Sequence, residues 1–324
     1  MTKIHKTILE AAHNINGHLT QTWRERDLTV FLCGAGADDG YQLRQVLANA
    51  IRWTRSKYSY ECYFPEDMYH EILNSHHKVD LLGLETQLAE SVHSIAILVH
   101  SAGAIAELGA FANHPVLGKK LIAISDPKHK NSKSFISLGP IKHLQRQNKD
   151  AVQYISLDNL HSNEIAKAIR EFTIKISKDK LLLPKVSLTN PIYAKDFCLR
   201  LIYVVNPIDV STLHEVCMLT EESADQNILL SSIDSVISWM SKEGLIRRTS
   251  SGLNTTIRAE YLFKYGTASN SSIKLRQVDY SHVMNLRKLF LNKGYRDRSR
   301  ERAKLPHLGQ SFTGTRTVVS PFLN

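Results

Sequence analysis

Ser94-Ile95-Ala96-Ile97-Leu98-Val99-His100 is a β-type apolar run that stops at the small-residue turn Ser101-Ala102-Gly103. A helical pattern begins at once, and its single charge, Glu107, sits among Ile105, Ala106, Leu108, Ala110 and Phe111. Strand, tight turn and helix in this order define one step of an open α/β sheet. In such sheets ligands bind at the carboxyl ends of strands, beside helix N-termini that present free N–H groups. Core packing asks for no charge at position 107, so Glu107 is the first candidate for chemistry, in a helix expected to be buried.

The rest of the first half repeats the step. Leu28–Cys33 is a short apolar run ended by Gly34-Ala35-Gly36, and a helical pattern follows over about 41–55. Residues 58–64 alternate until Pro65 stops them, with helices expected near 66–75 and 82–92. Beyond the Glu107 helix come a strand at 121–124, a helix near 138–147, a strand at 152–155 and a helix from about 160 to 176. Strands separated by helices predict an α/β fold, a parallel sheet with helices on both faces.

A chain of 324 residues exceeds the usual single-domain size. Residues 1–176 read as the sheet domain, with 1–27 as an N-terminal helical extension, and 177–190 as a linker around Pro184. Val210–Leu219 and Ile228–Met240 have helical periodicity. After them, Gly244, a short strand, the turn Ser250-Ser251-Gly252 and a second strand fit a winged-helix-like domain over 191–270. A small helical domain used only for protein contacts fits nearly as well, because Ile228–Met240 has no Lys or Arg with which to read bases.

Charge is spread unevenly. Residues 1–150 carry 17 Lys and Arg against 15 Asp and Glu, whereas 151–324 carry 24 against 16. Ten basic residues lie in 274–304, facing three acids, within a basic tail placed at 271–324. Such an excess points to a polyanionic partner. Arg247, Arg248, Arg287, Lys288, Arg296, Arg298, Arg300 and Arg302 are the candidate nucleic-acid contacts, with Tyr280 and Tyr295 as possible stacking partners. No apolar run approaches the roughly 20 residues that span a bilayer, and the first residues lack a signal-peptide core. Cys33, Cys62, Cys198 and Cys217 form no CxxC pair, and the histidines show no metal spacing. Reduced thiols, a cytoplasmic location, no membrane and no metal are the expectations.

Three strand ends converge in this scheme. Gly34 and Gly36 allow close backbone approach, although Asp38-Asp39 after them departs from a dinucleotide fingerprint. Glu66 and Asp67, just past Pro65, stand at the mouth of the site as candidate proton donors, and helix capping accounts for them equally well. Lys128 and Lys130 follow the fourth strand and suit a phosphate-bearing substrate, or else are solvated loop lysines. Cys33, Gly34, Gly36, Ser101, Gly103, Asp126 and Lys128 form the expected substrate-binding set, with Glu107, Glu66 and Asp67 as the catalytic set.

These blocks, in order, resemble the nucleoside 2-deoxyribosyltransferase-like family, and within it the toxin effectors of bacterial retrons. The resemblance rests on Val30-Phe31-Leu32-Cys33-Gly34, Tyr63-Phe64-Pro65-Glu66-Asp67, Leu81-Leu82-x-Leu84-Glu85-x-x-Leu88-Ala89-Glu90 and Glu107-Leu108-Gly109-Ala110-Phe111. It continues through Asp126-x-Lys128-x-Lys130 to Ser134-Phe135-Ile136-x-x-Gly139-Pro140. Ser101-Ala102-Gly103 stands where the family frequently has Pro-Gly. The resemblance implies a flavodoxin-like/Rossmann-like doubly wound parallel sheet, and that Glu107 acts on the anomeric carbon of a nucleoside sugar. It also implies that NAD is a substrate rather than a cofactor, cleaved to nicotinamide and ADP-ribose. The implied partners are a retron reverse transcriptase and its msDNA/msrRNA hybrid, in a homo-oligomer or higher assembly. A nucleoside or nucleotide deoxyribosyltransferase, a purine N-glycosidase and a non-enzymatic winged-helix DNA-binding regulator remain the alternatives.

Overall fold

In a computed structural model, residues 3–23, 27–35, 39–53, 57–65, 81–265 and 281–293 are described. Five parallel strands make the main sheet: β1 (Leu28–Cys33), β2 (Tyr60–Tyr63), β3 (Ser94–Leu98), β4 (Leu121–Ser125) and β5 (Val152–Tyr154). Their order is β2-β1-β3-β4-β5. β1 therefore lies between β2 and β3, with Phe31 beside both Tyr63 and Ile95. All residues of β1 to β4 are buried, as a sheet covered on both faces requires.

The helices around this sheet are α2 (Asp39–Arg52), α3 (Leu81–Glu90), α4 (Ala102–Ala112), α5 (Lys142–Gln147) and α6 (Ser162–Ile176). They follow α1 (Lys3–Thr22) in the chain. α2 packs along α6, which also touches β1, β3 and β4. α2 connects strands leftward and α4 rightward, so right-handed crossovers set these two helices on opposite faces. The single helix expected near 138–147 is instead a π-helical turn, Ser137–Ile141 with Pro140 inside it, followed by α5. A proline lacks an N–H, so the turn widens where a regular helix would leave a bond unmade.

The second core is built on α7 (Pro191–Val205), whose fifteen residues are all buried. Sequence periodicity did not single this helix out, because it has no solvent face and so no amphipathic signal. α8 (Val210–Thr220), α9 (Gln226–Lys242), the antiparallel hairpin β6 (Ile246–Thr249) and β7 (Gly252–Thr255), and α10 (Ile257–Tyr265) complete it. Residues 281–293 are helical and add Val283 to this core. Ile208 forms an isolated antiparallel bridge to Leu253, adding a third short strand to the hairpin. Gly252 sits at φ +119, and a Cβ there would stand 2.6 Å from the Ile208 carbonyl oxygen, so only glycine fits.

The N-terminal helix is placed differently from the expectation of an extension on the sheet domain. α1 buries Ile8, Ala12, Ile15 and Leu19 in the second core and packs on α7 and α8. The linker is also pinned from both sides. Gln87 of α3 donates to the Thr189 carbonyl at 2.7 Å, while Glu221 accepts from the Leu188 amide at 2.6 Å and the Ser187 hydroxyl at 2.5 Å. Trp239 of α9 is buried in the first core, edge-on to Tyr63 at 5.7 Å, so the two cores share a wall.

A cleft of about 900 Å³ opens beside the linker, lined by Gln87, His93, Lys185 and Glu221 among others. It lies at the amino ends of the strands. His93 there accepts the Thr29 backbone N–H on Nδ1 at 3.0 Å, so its proton sits on Nε2 and the ring is neutral. Burial, reinforced by the charge of Lys120, lowers its pKa to about 4. Between about pH 6.5 and 4 the unfolded chain binds the proton and the folded one does not, so stability falls as pH falls through that window. The expected loss is ~3 kcal/mol from this group. Urea titrations at pH 7 and 4.5 measure it, and His93→Asn, which keeps an acceptor but cannot titrate, should flatten the difference. An undiminished pH dependence in that variant would assign the effect elsewhere.

Candidate active site

In a sheet of order 2-1-3-4-5 the chain leaves β1 toward β2 on one side and β3 toward β4 on the other. The loops diverge there and leave a crevice at the carboxyl ends of β1 and β3. Cys33 and Gly34 end β1, and Val99, His100 and Ser101 follow β3.

Glu107 reaches this crevice from the second turn of α4. Ser101 caps that helix, its Oγ accepting the Ala104 amide at 3.2 Å, which fixes where the helix starts. Glu107 and the Cys33 thiol are hydrogen-bonded partners. The thiol is pushed well above its usual range, first by burial, then by the charges of Glu107 and Glu85, with Arg44 opposing. Cys33 therefore stays protonated at physiological pH and donates its S–H to the Glu107 carboxylate. It has no exposed surface, so its position serves Glu107 more directly than a ligand.

Two charged residues that the sequence reading did not single out stand at the same place. Arg44 of α2 is fully buried, its Nη1 3.4 Å from the Leu32 carbonyl oxygen and its guanidinium 5.6 Å from the centre of the Phe64 ring. Glu85 of α3 is 8% exposed. Both had a signal. Arg44 falls in a helical stripe with Leu47, Ala48 and Ile51, and Glu85 in one with Leu88, Ala89 and Val92, all buried. Glu107 shares its stripe with Ala104, Leu108 and Phe111. Three helices thus each interrupt their apolar stripe with one charge, and all three charges act around Cys33.

Gly34 owes its identity to this arrangement. A Cβ at 34 would lie 3.1 Å from Arg44 Cδ and 3.4 Å from His100 Cε1, so the glycine gives these side chains room. His100 is a further residue the sequence reading passed over. Its Nδ1 lies 2.9 Å from the Leu98 carbonyl oxygen, which can only accept, so Nδ1 carries the proton and Nε2 keeps its lone pair when the ring is neutral.

The other expected residues are less central. Gly103 is exposed, with open space around it. Asp126 caps a short turn after β4, accepting the Lys128 amide at 3.0 Å, and pairs with the Lys128 ammonium at 3.7 Å. α4 is not the buried helix expected, since only Ala104, Leu108, Phe111 and Ala112 are buried. Glu66, Asp67, Gly36, Arg296, Arg298, Arg300, Arg302, Tyr280 and Tyr295 lie outside the described residues. Arg247 and Arg248 are exposed on β6, and Lys288 is exposed, while Arg287 is stacked 4.3 Å over the Tyr203 ring. The four cysteines form no disulfide and are buried. Among the described residues no group of three or more His, Cys, Asp or Glu could hold a metal ion, and no helix is long and apolar enough to cross a membrane.

A doubly wound sheet with a carboxylate at its switch point, joined to a helical domain carrying a β-hairpin, defines a two-core α/β protein with an enzyme-like crevice. Residues 40–248 match the family described as STM3845 retron effector protein. The chain belongs to that retron effector family. It is 32% identical over 263 residues to an Escherichia coli protein named "Retron Ec86 putative ribosyltransferase/DNA-binding protein", spanning 76% of this chain and 83% of the relative. An Ec73 counterpart with the same wording in its name, also from Escherichia coli, is 27% identical over 292 residues, spanning 84% and 87%.

Proposed function

We propose that this retron effector is an N-glycosidase that cleaves the nicotinamide–ribose bond of NAD, restrained by its retron's reverse transcriptase and msDNA/msrRNA hybrid. The observation that carries the reading is Glu107 at the β1/β3 switch point, oriented by the Cys33 thiol within a cluster of buried charges. A protein that only sensed a ligand would gain little from burying Arg44 and Glu85 beside that carboxylate, given the desolvation each costs. The relatives' names, which pair ribosyl transfer with DNA binding, agree with both halves of the proposal.

Cleavage of a C–N glycosidic bond passes through an oxocarbenium-like state, with positive charge on the anomeric carbon. Glu107 beneath that carbon stabilises the charge or attacks to give a glycosyl ester. Nicotinamide leaves as a neutral base from a cationic one and needs no proton donor. His100 Nε2 is the proposed acceptor of a proton from the incoming water, whose oxygen ends on the ribose of ADP-ribose. Asp126 and Lys128 are the proposed contacts to the substrate's ribose and phosphate.

The second core has the element order of a winged helix: α7, the Ile208 bridge, α8, α9, then the β6–β7 hairpin as the wing. Exposed Arg247 and Arg248 on that hairpin, with Lys288 and the basic tail, make it the proposed seat of the nucleic-acid partner. Contacts there would be phosphate-directed and salt-dependent.

The test is direct. Purified protein incubated with NAD should release nicotinamide and ADP-ribose in equal amounts, read by chromatography, and addition of the reverse transcriptase–msDNA complex should suppress the release. Parallel incubations with deoxynucleosides and nucleoside monophosphates separate the alternatives. Release of free bases from those substrates, with NAD left intact, would replace NAD hydrolysis by nucleoside chemistry at the same site.

A further inference from the structure

The longest stretch without an acid among the described residues lies on the sheet domain. Residues 127–149 hold five lysines and one arginine and no Asp or Glu. Lys128, Lys130, Lys133, Lys142, Arg146 and Lys149 are all exposed. Lys128 is paired with Asp126, and among the described residues the other five make no ion pair. Cations that satisfy no carboxylate of their own chain are available to an outside anion.

The same stretch exposes apolar surface. Phe135 is 85% exposed and Leu138 56%. Both line a groove of about 440 Å³, with Gly109 and Ala112 of α4 and its C-cap Asn113 on one wall and Lys142, His143 and Arg146 of α5 on the other. The far end of the Phe135 ring rests against Gly139 in the π-helical turn, 3.6 Å from where a Cβ would stand. The ring is thus held in place while most of it stays open to solvent. Lys142 and Arg146 are four residues apart, on one face of α5, and so present two cations along one edge of the groove.

We propose that this groove binds a single-stranded nucleic acid, with a base stacked on Phe135 and consecutive phosphates at Lys142 and Arg146. An exposed aromatic ring flanked by unpaired cations is the combination single strands use, since every base offers a π-face and every linkage a charge. A duplex keeps its bases stacked on each other and has no use for Phe135. Gly109, Ala112 and Asn113 stand about half a helical turn around α4 from Glu107, so the strand lies along the back of the helix that carries the candidate carboxylate. This surface is separate from the one proposed on the hairpin and tail, and it stands whether or not the glycosidase reading does.

Fluorescence anisotropy of the full-length protein with a labelled 20-nucleotide oligothymidine, across a salt series, tests the groove. Phe135→Ala should weaken binding about fivefold or more with an unchanged salt slope, because a base contact is lost and no phosphate contact. Lys142→Gln with Arg146→Gln should reduce the slope of log K against log salt by about 1.4, roughly 0.7 for each lost phosphate contact. A hairpin duplex should not respond to Phe135→Ala. Phe135 and Arg146 are surface side chains, so both variants should fold, and the tail's contribution is common to all arms. Unchanged oligothymidine affinity in Phe135→Ala, or an unchanged slope in the double variant, would overturn the proposal. So would an equal loss with the duplex. A labelled polyglutamate peptide that binds with these dependences while oligothymidine does not would reassign the groove to an acidic protein partner.

Discussion

Glu107→Gln should lower the rate of NAD cleavage by about three orders of magnitude or more, equivalent to ~4 kcal/mol of lost transition-state stabilisation. The substitution keeps the shape of the side chain and removes its charge. A neutral amide cannot form the glycosyl ester and opposes the cationic sugar only weakly. The effect should appear in kcat with KM little changed, since the proposed ribose and phosphate contacts, Asp126 and Lys128, lie elsewhere. In cells, toxicity and NAD loss should vanish together. The melting temperature should not fall, because removing one of the like charges near Cys33 relieves repulsion. A variant that retains a tenth of the rate would show that Glu107 is not the catalytic carboxylate, whatever the fate of the fold.

Arg200→Leu should destabilise the protein by ~3–5 kcal/mol. Arg200 is 1% exposed and pairs with Asp196 at 2.7 Å, one turn away on a helix that has no solvent face. Removing the cation takes away the charge that faces the Asp196 carboxylate in the second core. Adding Asp196→Asn to Arg200→Leu removes that carboxylate's charge and should recover a good part of the loss. Urea unfolding of the single and double variants measures both steps. A loss below about 1 kcal/mol for Arg200→Leu would mean that the pair is effectively solvated. The neighbouring Lys195 follows the same rule, with Glu243 at 2.8 Å and the Trp239 ring centre at 3.3 Å.

The sheet domain was legible because its signals are local. An apolar run, a small-residue turn and an amphipathic stripe each fit within a dozen residues, and the strands fall within a few residues of where those signals place them. α7 was illegible for the opposite reason: a helix buried on every side has nothing to alternate with. The site was half legible. Glu107 announced itself as a lone charge at a strand–turn–helix junction. Arg44 and Glu85 broke their stripes in the same way, and only the fold brings them to Cys33. Gly34 carried the right flag for a different reason, since its missing Cβ makes room for Arg44 and His100. The packing of α1 depends on contacts across most of the chain, which no window of sequence contains.

That long-range packing has a consequence for synthesis. α1 leaves the ribosome before the other described elements, but the helices that cover Ile8, Ile15 and Leu19 are made roughly 170 residues later, about 10 to 35 seconds at about 5–20 residues per second. Every strand of the sheet, and the helix bearing Glu107, is complete before α7 emerges. The crevice can therefore assemble while α1 still waits, its apolar face uncovered, for the core that carries the hairpin. In a growing chain the half that holds the candidate site precedes the half that carries the hairpin, and α1 is the thread that ties the first event to the last.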